Sequence, residues 1–383
     1  MKIAYISTTY FADVDFCFLK ELFKQADVTY ILLYNKKGNA TICNFKQCYP
    51  KTGLYKANIY PELEKYKDFI NMDKTFILNV NSSKSYSLTF MVAYLKLFWF
   101  LLKGNFDIIH ITKPFDYFAY ILYTFRHKIV YSIHDPIDHS STTNKRYLFN
   151  KKLSVKLINN FIFFNGKQIE DFFKFFKIKN LDKKILISNF SSYDCLKIND
   201  INCNIPSKSY ILFFGTINSY KGLEYFFPAM KRIHESDSNV SFIIAGKGNY
   251  YFDISEYKSL DYIDIRNRYI PDEELAGLIK NCLFCVLPYV DATQSGVVMS
   301  AFAFNKPCVV TNVGSLPEMV VNNRHGLVIP PKDTTSIVES VIHLLENPES
   351  ISIMSCNIEK DYHKGSYSWN SIAEKTIKFY NSL

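Results

Sequence analysis

Residues 210–223 read YILFFGTINSYKGL. Tyr210 to Phe214 form an unbroken apolar run that ends at a glycine, which is the pattern of a buried strand. A short polar loop leads to Lys221-Gly222, where residues 222–234 take up helical spacing of apolar positions. Gly215 lets a ligand approach the backbone closely. Free N–H groups at a helix N-terminus favour a phosphate. Lys221 adds a positive charge at that spot, a charge-assisted contact worth about 1.5–3 kcal/mol. A plain strand–turn–helix with an exposed lysine is the alternative for this stretch alone.

The same rhythm extends in both directions. Strand-like runs fall at 2–7, 28–34, 107–112, 128–133, 160–164, 184–188, 210–215, 240–245, 262–266, 283–287 and 307–311. Helical spacing fills intervals such as 16–26, 222–234, 273–281 and 334–346. Strands alternating with helices predict parallel sheets covered by helices. The polar stretch 196–209 (LKINDINCNIPSKS) interrupts the pattern, and the series restarts at Tyr210. The expectation is an α/β chain of two doubly wound, Rossmann-like domains, 1–200 and 201–365. Ligands of such sheets sit at the carboxyl ends of strands, so a cleft between two facing domains is the expected site.

At 383 residues, 48% of them hydrophobic, the chain has enough material for two cores and is not disordered by composition. The net charge of +9 is uneven: residues 1–200 carry +12 and residues 201–383 carry −3. A basic half beside a near-neutral half suggests an anionic partner for the first domain. A solvated lysine-rich surface remains the plain alternative. The nine cysteines are scattered, and Met1-Lys2 runs directly into a strand-like Ile3-Ala4-Tyr5-Ile6, so a reducing cytoplasm is the expected setting. Cys282 and Cys285 have CxxC spacing in an apolar context without a second pair, which argues against a metal. Tyr86 to Leu102 is strongly apolar but contains Lys96 and falls short of the roughly 20 residues of a spanning helix. It reads first as a buried helix, and second as one lying on a membrane.

Two further pieces follow the first. Asp291-Ala292-Thr293-Gln294-Ser295-Gly296-Val297 lies between a buried strand ending at Leu287-Pro288-Tyr289 and an apolar helix. Its hydroxyl and amide donors and its glycine at a helix start make a second anion-binding construction, with an ordinary N-cap by Thr293 or Ser295 as the alternative. Residues 305–318 (NKPCVVTNVGSLPE) then give a buried strand, a glycine turn and a short helix, followed by His325-Gly326-Leu327-Val328-Ile329-Pro330-Pro331-Lys332-Asp333.

The order of these pieces resembles the retaining glycosyltransferases of family 4, the glycosyl transferases group 1 with the GT-B fold, in a branch with a Thr-Gln-Ser-Gly loop. The resemblance is strongest over 210–335. Asp107–Ile111, Tyr131–Ser140 and the C-terminal Ser368-Trp369-Asn370 helix extend it more weakly. It implies two Rossmann-like domains, an N-terminal acceptor-binding one rejoined by a C-terminal helix (366–383) and a C-terminal nucleotide-sugar domain. It implies that Lys221 contacts the donor diphosphate, that Gly215, Thr216 and Gly222 line the same pocket, and that Thr293, Gln294, Ser295, Gly296 and Val297 face the diphosphate and the sugar. His134 is the implied histidine near the reacting carbon, with Asp135 and His139 beside it.

The sequence departs from the pattern in places. Two glutamates usual around the loop read Ala292 and Ser300 here, so a neutral Ser300 would face the ribose. Thr216 stands where an Arg is common. Asp13-Val14-Asp15 spells a metal-binding DxD of another transferase fold, but at the start of a helix it reads as a cap and dipole device. Gly246-Lys247-Gly248 lacks the third glycine of a dinucleotide fingerprint.

The resemblance implies transfer of a sugar from a nucleotide-diphosphate-sugar donor, with retention and with no metal or other cofactor. The implied acceptor is a glycan or a polyprenyl-diphosphate-linked one, in cell-surface polysaccharide assembly. A cytoplasmic protein with peripheral contact to an anionic inner membrane face fits the +12 half, and no nucleic acid is expected. The alternatives are a non-catalytic GT-B binding subunit and a nucleotide-sugar epimerase.

Overall fold

The computed structural model describes residues 1–35, 45, 51–80, 86–134, 145–164, 166, 169–179, 182–199, 209–292 and 295–383. They form two compact units, Met1–Phe190 with Trp369–Leu383, and Ser191–Ser368.

The first unit holds strands β1 (Lys2–Thr8), β2 (Asp27–Asn35), β3 (Gly53–Lys56), β4 (Thr75–Val80), β5 (Ile108–Ile111), β6 (Ile129–Ile133), β7 (Asn160–Phe163) and β8 (Lys184–Ile187). They form one sheet in the order β3-β4-β2-β1-β5-β6-β7-β8, parallel throughout except where β3 runs against β4. Ile3, Ala4, Tyr5 and Ile6 of the central β1 are all buried, as expected of a parallel strand covered on both faces. Strand order reverses between β1 and β5, which is where a doubly wound sheet opens for a ligand. The last helix, Trp369–Asn381, packs against Ala12–Gln25, with the Phe18 and Trp369 ring centres 6.0 Å apart.

The second unit holds β9 (Tyr210–Phe214), β10 (Ser241–Ala245), β11 (Ile263–Arg266), β12 (Cys285–Leu287), β13 (Cys308–Thr311) and β14 (Gly326–Ile329), all parallel in the order β11-β10-β9-β12-β13-β14. Helices Leu223–Ser236, Asp272–Asn281, Gly296–Ala303 and Thr334–Glu346 lie between or after the strands. Residues 191–199, which the sequence groups with the first half, pack in the second unit. The Tyr193 amide donates to the Met299 carbonyl, and the Ser191 hydroxyl donates to the Tyr362 carbonyl, each at 3.1 Å.

Two sequence expectations are corrected. The apolar segment 86–102 is a helix (Leu88–Gly104), but it is only half buried. Phe90, Ala93, Tyr94, Leu97 and Leu101 enter the core, while Leu88, Val92, Leu95, Trp99 and Leu102 are exposed. One side of the helix meets the sheet and the other meets solvent, although both sides are apolar. No helix of the described residues is long and apolar enough to cross a membrane. The Asp13–Asp15 pair lies in the first turn of helix Ala12–Gln25, but the N-cap is Phe11. Asp15 is buried and accepts from the Tyr5 hydroxyl at 2.6 Å.

Candidate functional site

In the second unit the loops that leave the carboxyl ends of β9, β10 and β12 are tied to one another. The Gly215 amide donates to the Ala245 carbonyl at 3.0 Å, and the Ile217 amide donates to the Lys247 carbonyl at 3.1 Å. The Val290 amide donates to the Tyr220 carbonyl at 2.8 Å. These approaches need glycine. Gly222 has φ +66°, and a Cβ there would stand 1.9 Å from the Pro288 carbonyl oxygen. Gly215 has φ +118° and faces Val297, whose Cγ2 would lie 3.2 Å from its Cβ. Gly215 and Val297, expected in one pocket, are therefore neighbours. Thr216 is exposed beside them.

Lys221 is 6% exposed. Its ammonium lies 3.7 Å from the centre of the Tyr289 ring and 4.8 Å from that of Tyr220. Two ring faces hold the cation electrostatically, but burial pushes its pKa down to about 7. The arginines at the end of β11 are already committed: Arg266 Nη1 and Arg268 Nη2 both reach Glu274 Oε1, at 2.8 and 2.6 Å. Lys221 is thus a buried cation whose charged form an incoming anion would restore. The aromatic slot was not foreseen. Its signal was the tyrosine directly before Lys221 and the tyrosine after Leu287-Pro288.

The adjoining helix, Gly296–Ala303, starts where expected, at Gly296, which is exposed. Ser295 occupies the N-cap position, but its side chain makes no capping bond; its hydroxyl lies 3.5 Å from the Tyr289 hydroxyl. The Val298 amide donates to the Ser295 carbonyl at 3.2 Å, and a helix N-terminus of this kind favours an anion. Tyr289 therefore joins the two constructions, with its ring against Lys221 and its hydroxyl towards Ser295. Its carbonyl accepts from the Thr311 hydroxyl at 2.5 Å, which fastens the loop to the end of β13. Ser300, expected to face a ribose, donates its hydroxyl back to the Gly296 carbonyl at 2.9 Å. Thr293 and Gln294 lie outside the described residues.

In the first unit His134 ends β6 and is 8% exposed. Its ring stacks on Phe11 at 3.9 Å and on Phe190 at 5.5 Å, and it tilts against Phe164 at 5.0 Å. Burial pushes its pKa down to about 3, so the ring is neutral at ordinary pH. Its Nε2 has no hydrogen-bond partner among the described residues. Asp135 and His139 lie outside the described residues. His110 is nearby in the same core, with Nε2 2.7 Å from the Ser132 hydroxyl and Nδ1 bonded to the Tyr380 hydroxyl. At the carboxyl ends of β1, β2, β4 and β5 lies a cavity of about 320 Å³, lined by Thr8, Thr9, Tyr10, Tyr94, Lys113 and Asp116 among others. It falls at the strand-order reversal and is large enough for a small ligand. Asp116 on its rim is held by Arg146 and by Asn150 Nδ2 at 3.0 Å.

Residues 208–347 match the family described as Glycosyl transferases group 1. An uncharacterized glycosyltransferase of Methanocaldococcus jannaschii is 31% identical over 177 residues, which is 44% of this chain and 44% of that protein. The chain thus spans less than half the length of that curated relative. Among solved structures, sucrose-phosphate synthase from Thermosynechococcus elongatus superposes with a TM-score of 0.69 at 15% identity, covering 100% of this chain and 99% of that one. The Anabaena protein HepE in complex with UDP superposes with a TM-score of 0.65 at 13% identity, covering 100% of both chains. The two-domain, parallel-sheet GT-B fold expected from the motifs is borne out, with the antiparallel β3 as an addition.

Proposed function

We propose that this chain is a glycosyltransferase that takes its sugar from a nucleotide-diphosphate donor, with retention, and gives it to a glycan or polyprenyl-diphosphate-linked acceptor. The observation that carries the reading is Lys221, a buried ammonium joined through Tyr289 to the N-terminus of helix Gly296–Ala303, within the stretch that matches Glycosyl transferases group 1. When the bond from the sugar to the diphosphate breaks, negative charge builds on the leaving oxygen. A cation and oriented amides in a poorly hydrated slot stabilise that charge without reorganising. The lysine and the helix amides do this without a metal. The UDP in the structural neighbour HepE supports a nucleotide diphosphate as the ligand class.

His134, uncharged and shielded by three aromatic rings, suits a hydrogen-bonding role towards a sugar hydroxyl better than proton transfer near neutral pH. The cavity at the strand-order reversal of the first unit suits the acceptor. Work on a lipid-linked acceptor in cell-surface polysaccharide assembly, at the cytoplasmic face of a membrane, fits the +12 charge of residues 1–200.

The test is nucleotide release from a panel of uridine, guanosine, adenosine and thymidine diphosphate sugars, with prenyl-diphosphate-linked acceptors present. Lys221→Ala should lower the rate about 100-fold, the usual loss for one charge-stabilising donor. Calorimetry that finds no affinity for any of these donors would remove the transferase reading and favour a non-catalytic subunit.

A further inference from the structure

We infer that the exposed face of helix Leu88–Gly104 is a docking surface for an anionic lipid membrane. Leu88, Val92, Leu95, Trp99 and Leu102 are exposed by 70%, 37%, 37%, 56% and 48%. They recur at steps of four, three, four and three, so they form one continuous stripe along the helix. A stripe of large apolar side chains on a surface marks an interaction site rather than scattered exposure.

Charge identifies the partner. Lys96 and Lys103, both exposed, each follow a stripe residue by one position and so line the same edge of the stripe. No Asp or Glu occurs between Asp73 and Asp107. The 3-10 helix Tyr117–Phe125 packs beside this helix through Phe98 and Phe125, whose ring centres are 5.5 Å apart. It adds the exposed Tyr117 and Phe118 and is followed by the exposed Arg126 and His127. An apolar face carrying Trp and Tyr with a basic border is the composition that seats in the headgroup region of anionic bilayers. A protein partner would more often be matched by charges of both signs. At 1.5 Å per residue the 17-residue helix is about 25 Å long, too short to span but able to lie along the surface. Its opposite side supplies Tyr94 to the cavity of the first unit, so one helix borders both the stripe and the proposed acceptor cavity.

The inference does not rest on catalysis, and the full chain tests it directly. Vesicles of phosphatidylcholine alone and of phosphatidylcholine mixed with phosphatidylglycerol, which gives an anionic surface, are sedimented with the protein. Trp99 emission is followed in parallel. At least tenfold more protein should partition onto the anionic vesicles, with a blue shift of Trp99 and loss of binding at high salt. Leu95→Glu with Leu102→Glu should abolish binding, and Lys96→Glu with Lys103→Glu should lower it at least tenfold. Both pairs are on the surface, and an unchanged circular dichroism melt verifies their fold. Equal recovery on neutral and anionic vesicles, or no recovery on either, overturns the inference. So does a solution dimer that Leu95→Glu dissociates, because a second copy would then cover the stripe. Donor calorimetry on the same samples reads the transferase proposal separately.

Discussion

The ammonium of Lys221 lies 3.7 Å from the centre of the Tyr289 ring, in a slot where burial has brought its pKa down to about 7. On the proposed donor role of Lys221, binding should depend on pH in a defined direction. The diphosphate of a nucleotide sugar has no group titrating near neutrality, so Lys221 sets the profile. A bound diphosphate raises the lysine pKa, so binding takes up a proton above pH 7. Affinity should be constant below pH 7 and fall by up to tenfold per unit above it. Calorimetry in buffers of different ionisation enthalpy should give close to one proton taken up at pH 8. A flat profile from pH 6 to 9 would detach Lys221 from the ligand.

The same lysine should burden the apo fold. Its pKa is lower in the folded chain than in the unfolded one, so between pH 7 and about 10 the unfolded state binds more protons and stability rises with pH. Lys221→Met keeps the length and drops the charge. It should stabilise the apo protein at pH 7 by on the order of 4 kcal/mol while weakening donor binding at least 100-fold. A variant that loses both stability and binding would mean the ammonium is structural.

Gly222 lets the loops after β9 and β12 lie against each other by having no side chain. Gly222→Ala must place a Cβ 1.9 Å from the Pro288 carbonyl oxygen at a φ of +66°. The loop after β12 would have to retreat, breaking the 2.8 Å bond from Val290 to Tyr220. A loss of about 2–4 kcal/mol is expected. Trp99 and Trp369 are the chain's two tryptophans, and both belong to the first unit. Far-UV circular dichroism, which reports on both units, should therefore show the loss, which tryptophan emission from the first unit does not report directly.

Much of this was legible in the sequence, because parallel strands buried on both faces write unbroken apolar runs. The strand runs beginning at Tyr210 and Ile3 needed nothing else. The strands that escaped lacked that signature. β3 is a four-residue antiparallel edge, β4 buries the polar Thr75 and Asn79 completely, and β14 opens with a glycine under Cys308. In the site, Gly215, Lys221 and Gly296 were readable because each terminates or starts an element. Tyr289 was not, since its partnership with Lys221 comes from two loops that are distant in sequence. The neutral state of His134 was also hidden, because Phe11, Phe164 and Phe190 meet only on folding.

The C-terminal helix is pinned by a buried bond between the Tyr380 hydroxyl and His110 Nδ1. Tyr380→Phe would leave that ring nitrogen unpaired, at a cost of about 1–3 kcal/mol. The tryptophan transition should move to lower denaturant, because Trp369 lies on the same helix. An unchanged midpoint would show that water replaces the hydroxyl.

Asp15 offers the sharpest pH test of the first unit. It is fully buried, accepts from the Tyr5 hydroxyl at 2.6 Å, and its carboxyl is raised to about 7. Burial is the main cause and the nearby Asp13 adds to it, while hydrogen bonds from Ser7 and Tyr5 pull the other way. In the unfolded chain the same carboxyl releases its proton near 4. Between about pH 4 and pH 7 the folded state therefore binds more protons, and stability falls as pH rises through that window. Asp15→Asn removes the titration and keeps an acceptor for Tyr5. It should match the wild type at pH 4 and exceed it at pH 8 by on the order of 3 kcal/mol, read from the tryptophan transition. A wild-type to variant difference that does not change between pH 4 and pH 8 would show that Asp15 ionises in the fold as it does in water.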